Sequence, residues 1–367
     1  MKRTRVCFIA YYAYPLFNGE SEAIFGGAEV QAVLFGKKLA EDRAYQVDFI
    51  TGNFGQATVE VYDNVRVHKL HRLDKKGIKY LKGIYYHWLL FYKIFKLDPD
   101  LCIQRSAGIQ TGVIALYCKI FKKRFIYMTA HEFDCTGRFE KNNGISGKIF
   151  GFGLKYAYRV ITQSREHQKL LEANYHIRSE VIENSFCIPE KYIGEKKFVL
   201  WIARLAAWKQ PEKFFLLADK FPERRFVMVA PEADDAGYAK FIKNKAVKIK
   251  NLEFIPGVDF ERVDEYFKQA KIFINTSTHE GFPNTFVQAA MYATPVVSLN
   301  VNPDNFLNEY ACGYCAGGDE EKMAEYVQRL LEDKNDWQQK SNNIYQYAQK
   351  KHNMRENIIK FKKIIND

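Results

Sequence analysis

At 367 residues the chain is too long for one ordinary domain and suits about two, each of roughly 150–200 residues. Its 47% hydrophobic and 27% charged residues exclude a disordered chain, and no stretch reaches the ~18 unbroken apolar residues of a membrane span. The net charge of +12 is uneven: residues 1–190 hold 28 Lys+Arg against 19 Asp+Glu and residues 191–367 hold 27 against 24, so the front half favours an anionic partner, whether phosphate-rich ligand, nucleic acid or acidic membrane.

In chain order, the basic opening Met1-Lys2-Arg3-Thr4-Arg5 and the apolar run after it read as a first buried strand rather than a signal peptide. The run is short, aromatic-rich and lacks a small-residue cleavage site. Strands are expected at 6–10, 46–51, 65–70, 101–104, 125–129 and 159–162, with helices near 28–41, 79–96, 110–121 and 146–157. This alternation implies a parallel sheet covered on both faces. The back half repeats it, with strands at 198–203, 225–229, 252–255, 272–275 and 295–298 and helices near 211–220, 235–243, 260–269, 285–292 and 320–331.

Two such series predict an α/β chain of two Rossmann-like doubly wound domains facing across a cleft. The domains are placed at 1–188 and 189–350, where Pro189 and Gly194 interrupt a polar joint, and a C-terminal helix within 351–367 is placed as crossing back to the first domain. Ligands of such sheets bind beyond the carboxyl ends of the strands, so the residues just after each strand are the ones to examine. The seven cysteines are scattered, and Cys312-Gly-Tyr-Cys315 has no second pair. That pattern suits a reducing cytoplasm and offers neither a zinc site nor a redox motif.

Three segments carry chemistry. Gly26-Gly27-Ala28-Glu29 opens a helix. Paired glycines let a ligand approach the backbone, and the helix start presents free N–H groups to an anion, although a plain loop-to-helix turn reads the same. Arg204 and Lys209 follow the strand at 198–203 and are placed to reach one point at its carboxyl end, where two cations neutralise a diphosphate; the bland alternative is two solvated surface charges. The third segment runs from Asn275 to Ala289: an apolar strand, then Glu280-Gly281-Phe282-Pro283, then a helix beginning near Asn284 and Thr285. Glu280 and Gln288 bracket this turn, a carboxylate suited to sugar hydroxyls and an amide suited to a ribose.

Together these landmarks resemble glycosyltransferase family 4. Glu280-Gly281-Phe282, Gln288-Ala289 and Pro295-Val296-Val297 are similar to its E-x7-E segment, and Arg204-Leu205 with Lys209 to its diphosphate-binding pair. Gly26-Gly27 resembles its front-loop motif, and Val181-Ile182-Glu183-Asn184 and Arg159-Val160-Ile161 with Ser164 resemble two further segments, all in the family's order. The resemblance implies a retaining, nucleotide-sugar-dependent hexosyltransferase of the GT-B fold. It implies that Arg204 and Lys209 hold the diphosphate of a UDP- or GDP-sugar, that Glu280 binds the transferred sugar and that Gln288 binds the ribose. His131, after the strand at 125–129, would contact the donor sugar near the reacting carbon, with Gly27 at the donor as well. No metal or other cofactor is implied, since the nucleotide-sugar is a substrate. The acceptor is a glycan or lipid-linked hydroxyl, in surface polysaccharide or glycolipid synthesis.

Two departures stand out. Gln288 replaces the family's Glu, keeping an acceptor and losing the charge. Pro283 replaces a Gly and removes one N–H, which leaves main-chain donor contacts to Phe282, Asn284 and Thr285. The basic aromatic segment Lys75–Lys96 is placed either on an anionic membrane, at the cytoplasmic face, or as an ordinary amphipathic helix over the sheet. Asp98-Pro99-Asp100 reads as a turn and not a metal motif. Rival functions are a nucleotide-sugar epimerase of the same architecture, an inactive transferase-like protein and a nucleic-acid-binding protein. No RNA- or DNA-binding signature supports the last, and no nucleic-acid partner is expected.

Overall fold

The computed structural model describes residues 3–19, 25–70, 79–231 and 235–367, with residues 79–82 by their backbone. The chain falls into two compact units, Met1–Ser185 with Met354–Asp367, and Phe186–Asn353.

The first unit begins with strand β1 (Thr4–Ile9), whose last four residues are all buried, as expected of an inner strand of a parallel sheet. There follow α1 (Gly27–Ala40), β2 (Tyr45–Thr51), β3 (Val59–Tyr62), β4 (Val65–Lys69), α2 (Lys79–Leu97), β5 (Leu101–Arg105), α3 (Ile109–Ile120) and β6 (Arg124–Met128). The series ends with α4 (Arg138–Asn142), α5 (Gly144–Lys155), β7 (Arg159–Thr162), α6 (Arg165–Tyr175) and β8 (Glu180–Val181). The strand order is β3-β4-β2-β1-β5-β6-β7-β8, parallel throughout except at the β3–β4 edge hairpin. One face of the sheet carries Phe8, Phe35, Phe49 and Val67 in a single apolar cluster, and the other packs Ile9, Leu90, Tyr117 and Phe150.

The second unit holds β9 (Phe198–Ile202), α7 (Pro211–Lys220), β10 (Phe226–Val229), α8 (Ala236–Ala246), β11 (Leu252–Ile255), α9 (Val263–Gln269) and β12 (Ala270–Asn275). It continues with α10 (Asn284–Met291), β13 (Val296–Ser298), α11 (Phe306–Glu309), β14 (Gly313–Cys315), α12 (Glu320–Glu332) and α13 (Lys334–Lys351). Its six strands run in the order β11-β10-β9-β12-β13-β14, all parallel. Trp201, Phe214 and Phe226 fill one face, and Phe267, Phe273 and Phe286 the other. Each unit is thus a doubly wound α/β sheet, as the alternating pattern predicts.

Helix α14 (Met354–Asn366) belongs to the first unit, where Phe361 meets Phe35 at 4.9 Å between ring centroids. Met354, Ile358, Phe361, Ile364 and Ile365 are buried there, each worth about 1.5–3 kcal/mol when fully removed from water. Lys362 pairs with Asp42 at 2.6 Å, and Tyr45 donates to Asn366 at 3.0 Å.

Asp98 and Asp100 serve this fold. Asp98 is bound by Arg5 at 2.7 Å and Lys123 at 2.8 Å, and Asp100 accepts the Arg5 N–H at 2.8 Å, pinning the turn before β5 to β1. All seven cysteines are free.

Candidate active site

In the second unit two loops at the carboxyl ends of adjacent strands, β9 and β12, are laced together. Trp201 donates its indole N–H to Thr276 Oγ1 at 2.9 Å, and that hydroxyl donates to the carbonyl of Lys209 at 2.6 Å. The N–H of Thr278 donates to the carbonyl of Trp208 at 2.9 Å. Neutral bonds of this kind, the Trp201–Thr276 bond buried among them, hold two loops that are far apart in sequence to a fixed spacing.

The charged groups sit on that frame. The Lys209 ammonium donates to Glu280 Oε1, and each side chain is 13% exposed. Ser277 donates its hydroxyl to the same oxygen at 2.8 Å. Among the described residues Glu280 Oε2 has no hydrogen-bond partner, which leaves it for a ligand hydroxyl. The ammonium lies 4.0 Å from the centroid of Trp208, and His279 stacks on the same indole at 5.2 Å. Burial holds the Lys209 pKa below the ordinary lysine value; Glu280 opposes that shift and nearby Arg204 adds to it. Arg204 is exposed, close enough for its charge to act on Lys209. The arrangement is a desolvated cation with a second cation beside it and a carboxylate with one open oxygen.

Helix α10 begins at Asn284 with Pro283 in the capping position, so the N–H groups of its first turn, Asn284 and Thr285 among them, follow Glu280 closely in the chain. The Phe282 ring turns into an aromatic cluster with Phe286, Phe306 and His352, at 6.5, 5.4 and 4.8 Å. Only its main chain remains for a ligand. Gln288 is 4% exposed and lies beside Asp264 on α9, which accepts from Tyr292 at 2.8 Å. Burial raises the Asp264 pKa, and the Tyr292 hydroxyl and the Gln288 amide oppose that rise.

His131 and Gly27 lie in the first unit. Gly27 is the first residue of α1, and the N–H of Gly26 before it is taken by Glu29 at 3.0 Å. His131 follows β6 and stacks on Phe133 at 4.7 Å. Asp134, three residues on, accepts the N–H groups of Ala130 and His131 at 2.7 and 3.2 Å; burial raises its pKa. The structure therefore brings Arg204, Lys209 and Glu280 together within one unit, with α10 starting shortly after Glu280 in the chain, and sets His131 after β6 and Gly27 at the start of α1 in the other.

Residues 188–351 match the family model described as glycosyl transferases group 1. That match spans nearly all of the second unit. An uncharacterized glycosyltransferase of Methanocaldococcus jannaschii is 22% identical, with 57% of this chain aligned; the chain spans 58% of that relative's length. Among solved structures, sucrose-phosphate synthase of Thermosynechococcus elongatus superposes with a TM-score of 0.79 at 16% identity, covering 99% of this chain and 98% of that one. An Anabaena protein solved with UDP and glucose gives 0.73 at 15% identity, covering 99% and 100%. With these the chain shares the GT-B fold over its length, as expected. The expectation of a transferase is met at the level of the group 1 domain.

Within the group 1 domain, reasoning from sequence overlooked Ser277, Trp208 and Asp264. Trp208 adjoins Lys209 in the chain, and an aromatic beside a cation was a readable signal. Ser277 and Asp264 had none, because their partners are set by the register of separate loops and helices.

Proposed function

We propose that the protein is a retaining glycosyltransferase moving a hexose-type sugar from a nucleotide diphosphate donor, carrying uridine or guanosine, to a hydroxyl of a glycan or lipid-linked acceptor. The observation that carries this reading is the Lys209–Glu280 pair beside Arg204 in a group 1 domain. The UDP in the Anabaena protein of like fold adds support for such a donor.

On this reading the bond from the anomeric carbon to the diphosphate oxygen breaks, the acceptor oxygen bonds to that carbon, and the acceptor's proton leaves with the diphosphate. Arg204 and Lys209 meet the negative charge that grows on the departing group, and a site already desolvated strengthens that attraction. An ammonium has three N–H donors, so Lys209 can keep Glu280 and still reach a phosphate oxygen. Glu280 Oε2 takes a hydroxyl of the sugar and holds it in place. The family resemblance assigns the ribose to Gln288. It assigns His131 and Gly27 to the donor as well. The chain's own cations suffice for the charge, and no metal is invoked.

The place of action is proposed as the cytoplasmic face of a membrane, in surface polysaccharide or glycolipid synthesis. Of the segment Lys75–Lys96, residues 75–78 lie outside the described residues. In α2 Tyr86, Leu90 and Ile94 are buried, while Ile84, Tyr85, Trp88, Tyr92 and Phe95 are exposed. Trp88 stacks on Tyr85 and Tyr92, with Lys96 over Tyr92 at 5.5 Å. No described helix is long and apolar enough to cross a membrane. An aromatic stripe flanked by lysines suits an anionic interface. Co-sedimentation with vesicles should increase with anionic lipid and fall with salt; binding indifferent to both removes the membrane role.

The test of the central reading is binding of UDP, GDP and their sugars, followed by thermal shift and calorimetry. One of these should stabilise the chain by mass action, by about 2.7 kcal/mol at a hundredfold excess over Kd. Arg204→Ala with Lys209→Ala should abolish both the shift and turnover. Unchanged turnover in that double variant, or no binding of any nucleotide diphosphate, defeats the proposal.

A further inference from the structure

The sheet of the first unit ends in a cation that no carboxylate neutralises directly. Arg105 closes β5, next to β1 in the sheet, and α1 follows β1. Its Nη2 donates to Gln163 Oε1 at 2.9 Å and Asn184 Oδ1 at 2.6 Å. Both acceptors are neutral amides in loops that are themselves anchored. Gln163 donates to the Ala130 carbonyl at 2.9 Å, and Ser185, next to Asn184, donates its N–H to Gln31 of α1 at 2.7 Å. The guanidinium is thus fixed at the carboxyl ends of the strands, where ligands of parallel sheets bind.

Its remaining groups are unused. Nε is buried without a partner, and Nη1 makes no hydrogen bond among the described residues. The nearest acids, Asp134 and Glu29, act on it only at a distance. Asp134 is committed to the N–H groups of Ala130 and His131, and Glu29 to that of Gly26. Desolvation pushes the Arg105 pKa down to about 10, so the charge persists near neutrality in poorly compensated surroundings. Buried cations without an ion partner are costly, and an anion accepting from the free edge of the fork offsets that cost. The first half of the chain, with 28 Lys+Arg against 19 Asp+Glu, draws anions toward it.

We propose that the strand ends of the first unit form an anion site in which Arg105 takes a phosphoryl group carried by the acceptor. The anion site stands on the geometry of this unit alone; the word acceptor rests on the proposed transfer. Two sources share the chemistry, a soluble sugar phosphate and the head of a lipid-linked phosphate.

The experiment is calorimetry on the full chain saturated with UDP, so that the donor's phosphate contacts are filled. The probes are inorganic phosphate, a hexose phosphate and octyl phosphate. The UDP-saturated chain should bind one equivalent of a phosphate-bearing probe, and Arg105→Gln should weaken that by roughly tenfold to a hundredfold while UDP affinity stays the same. Arg105→Lys, which keeps the charge and loses the fork, should fall between. Preference for the hexose phosphate identifies a soluble source, and preference for octyl phosphate a lipid one. Absence of probe binding in a chain that does bind UDP overturns the site, as does an Arg105→Gln variant that binds probes like the parent. If UDP itself does not bind, the transfer reading fails separately. The probes, titrated into an Arg204→Ala background, then still decide the Arg105 site. Should Arg105→Gln lose its circular dichroism signal, the Arg105→Lys variant decides it, and unchanged probe affinity there counts against the site.

Discussion

Lys209 and Glu280 stand 71 positions apart in sequence and form an ion pair that is 13% exposed on both sides. The pair preserves a charge that burial opposes. Glu280→Gln removes the compensation and leaves the ammonium desolvated, which should cost about 2–4 kcal/mol near pH 7, somewhat less than for a fully enclosed pair. The sign of its pH dependence follows from the lowered lysine pKa. Between that value and the unfolded value near 10.4, the unfolded chain binds more protons, so stability rises with pH. Loss of Glu280 lowers the folded pKa further and widens this window. The deficit of the variant should therefore shrink as pH is raised toward 10, as urea denaturation at several pH values will measure. A deficit that grows with pH would contradict the account.

Gln288 lies beside Asp264, and a carboxylate in its place would face another. Gln288→Glu, which restores the residue that the family resemblance implies, should destabilise the domain by about 1–3 kcal/mol at neutral pH. Two neighbouring carboxylates raise each other's pKa, so the loss should be present above that raised pKa and fade as pH falls through it. Asp264→Asn in the same chain should recover most of the stability. A Gln288→Glu variant as stable as the parent at pH 7 would show that the two side chains do not share a site.

The architecture was legible because buried parallel strands are short apolar runs: Phe198–Ile202 follows Lys196-Lys197, and Phe226–Val229 follows Arg224-Arg225. Pro211 likewise marks the start of α7. The edges were not legible. β3 alternates exposed and half-buried residues, and β14 passes through the segment read as a C-x-x-C. α13 carries only scattered apolar residues among Asn, Gln and Lys, so its period is weak. At the site, Arg204, Lys209 and Glu280 were visible as residues just past strand ends. That Gln288 and the Phe282 ring point inward depends on neighbours in α9 and α11, which no local pattern specifies.

His167 offers a pH test in the first unit. It is 3% exposed beside Thr129, and its pKa is pushed down to about 4, first by burial and then by His131 and Arg105. The folded chain therefore holds it neutral while the unfolded chain protonates it near 6.5. Stability should be full above pH 6.5 and fall as pH drops toward 4, by up to about 3 kcal/mol from this group. His167→Gln should flatten that limb of the curve, in chemical denaturation between pH 4 and 7. An identical acid limb in the variant would mean that another group carries it.

Two glycines should respond to alanine with opposite signs. α3 and α5 cross at glycine contacts: a Cβ on Gly153 would lie 2.5 Å from the Thr111 carbonyl carbon and 2.6 Å from the Gly112 nitrogen. Those are backbone atoms of a packed helix and cannot swing aside. Gly153→Ala gains up to about 1 kcal/mol in helix propensity but forces the helices apart, with a net loss of roughly 1–3 kcal/mol. Gly83, in α2, has nothing within 4 Å of the same added atom. There Gly83→Ala should keep the propensity gain, raising stability by about 0.5–1 kcal/mol. In a thermal melt the first variant should drop by several degrees and the second rise by one to three, roughly, for a unit of this size. A Gly153→Ala variant that melts at or above the parent would show that α3 and α5 are not packed backbone to backbone.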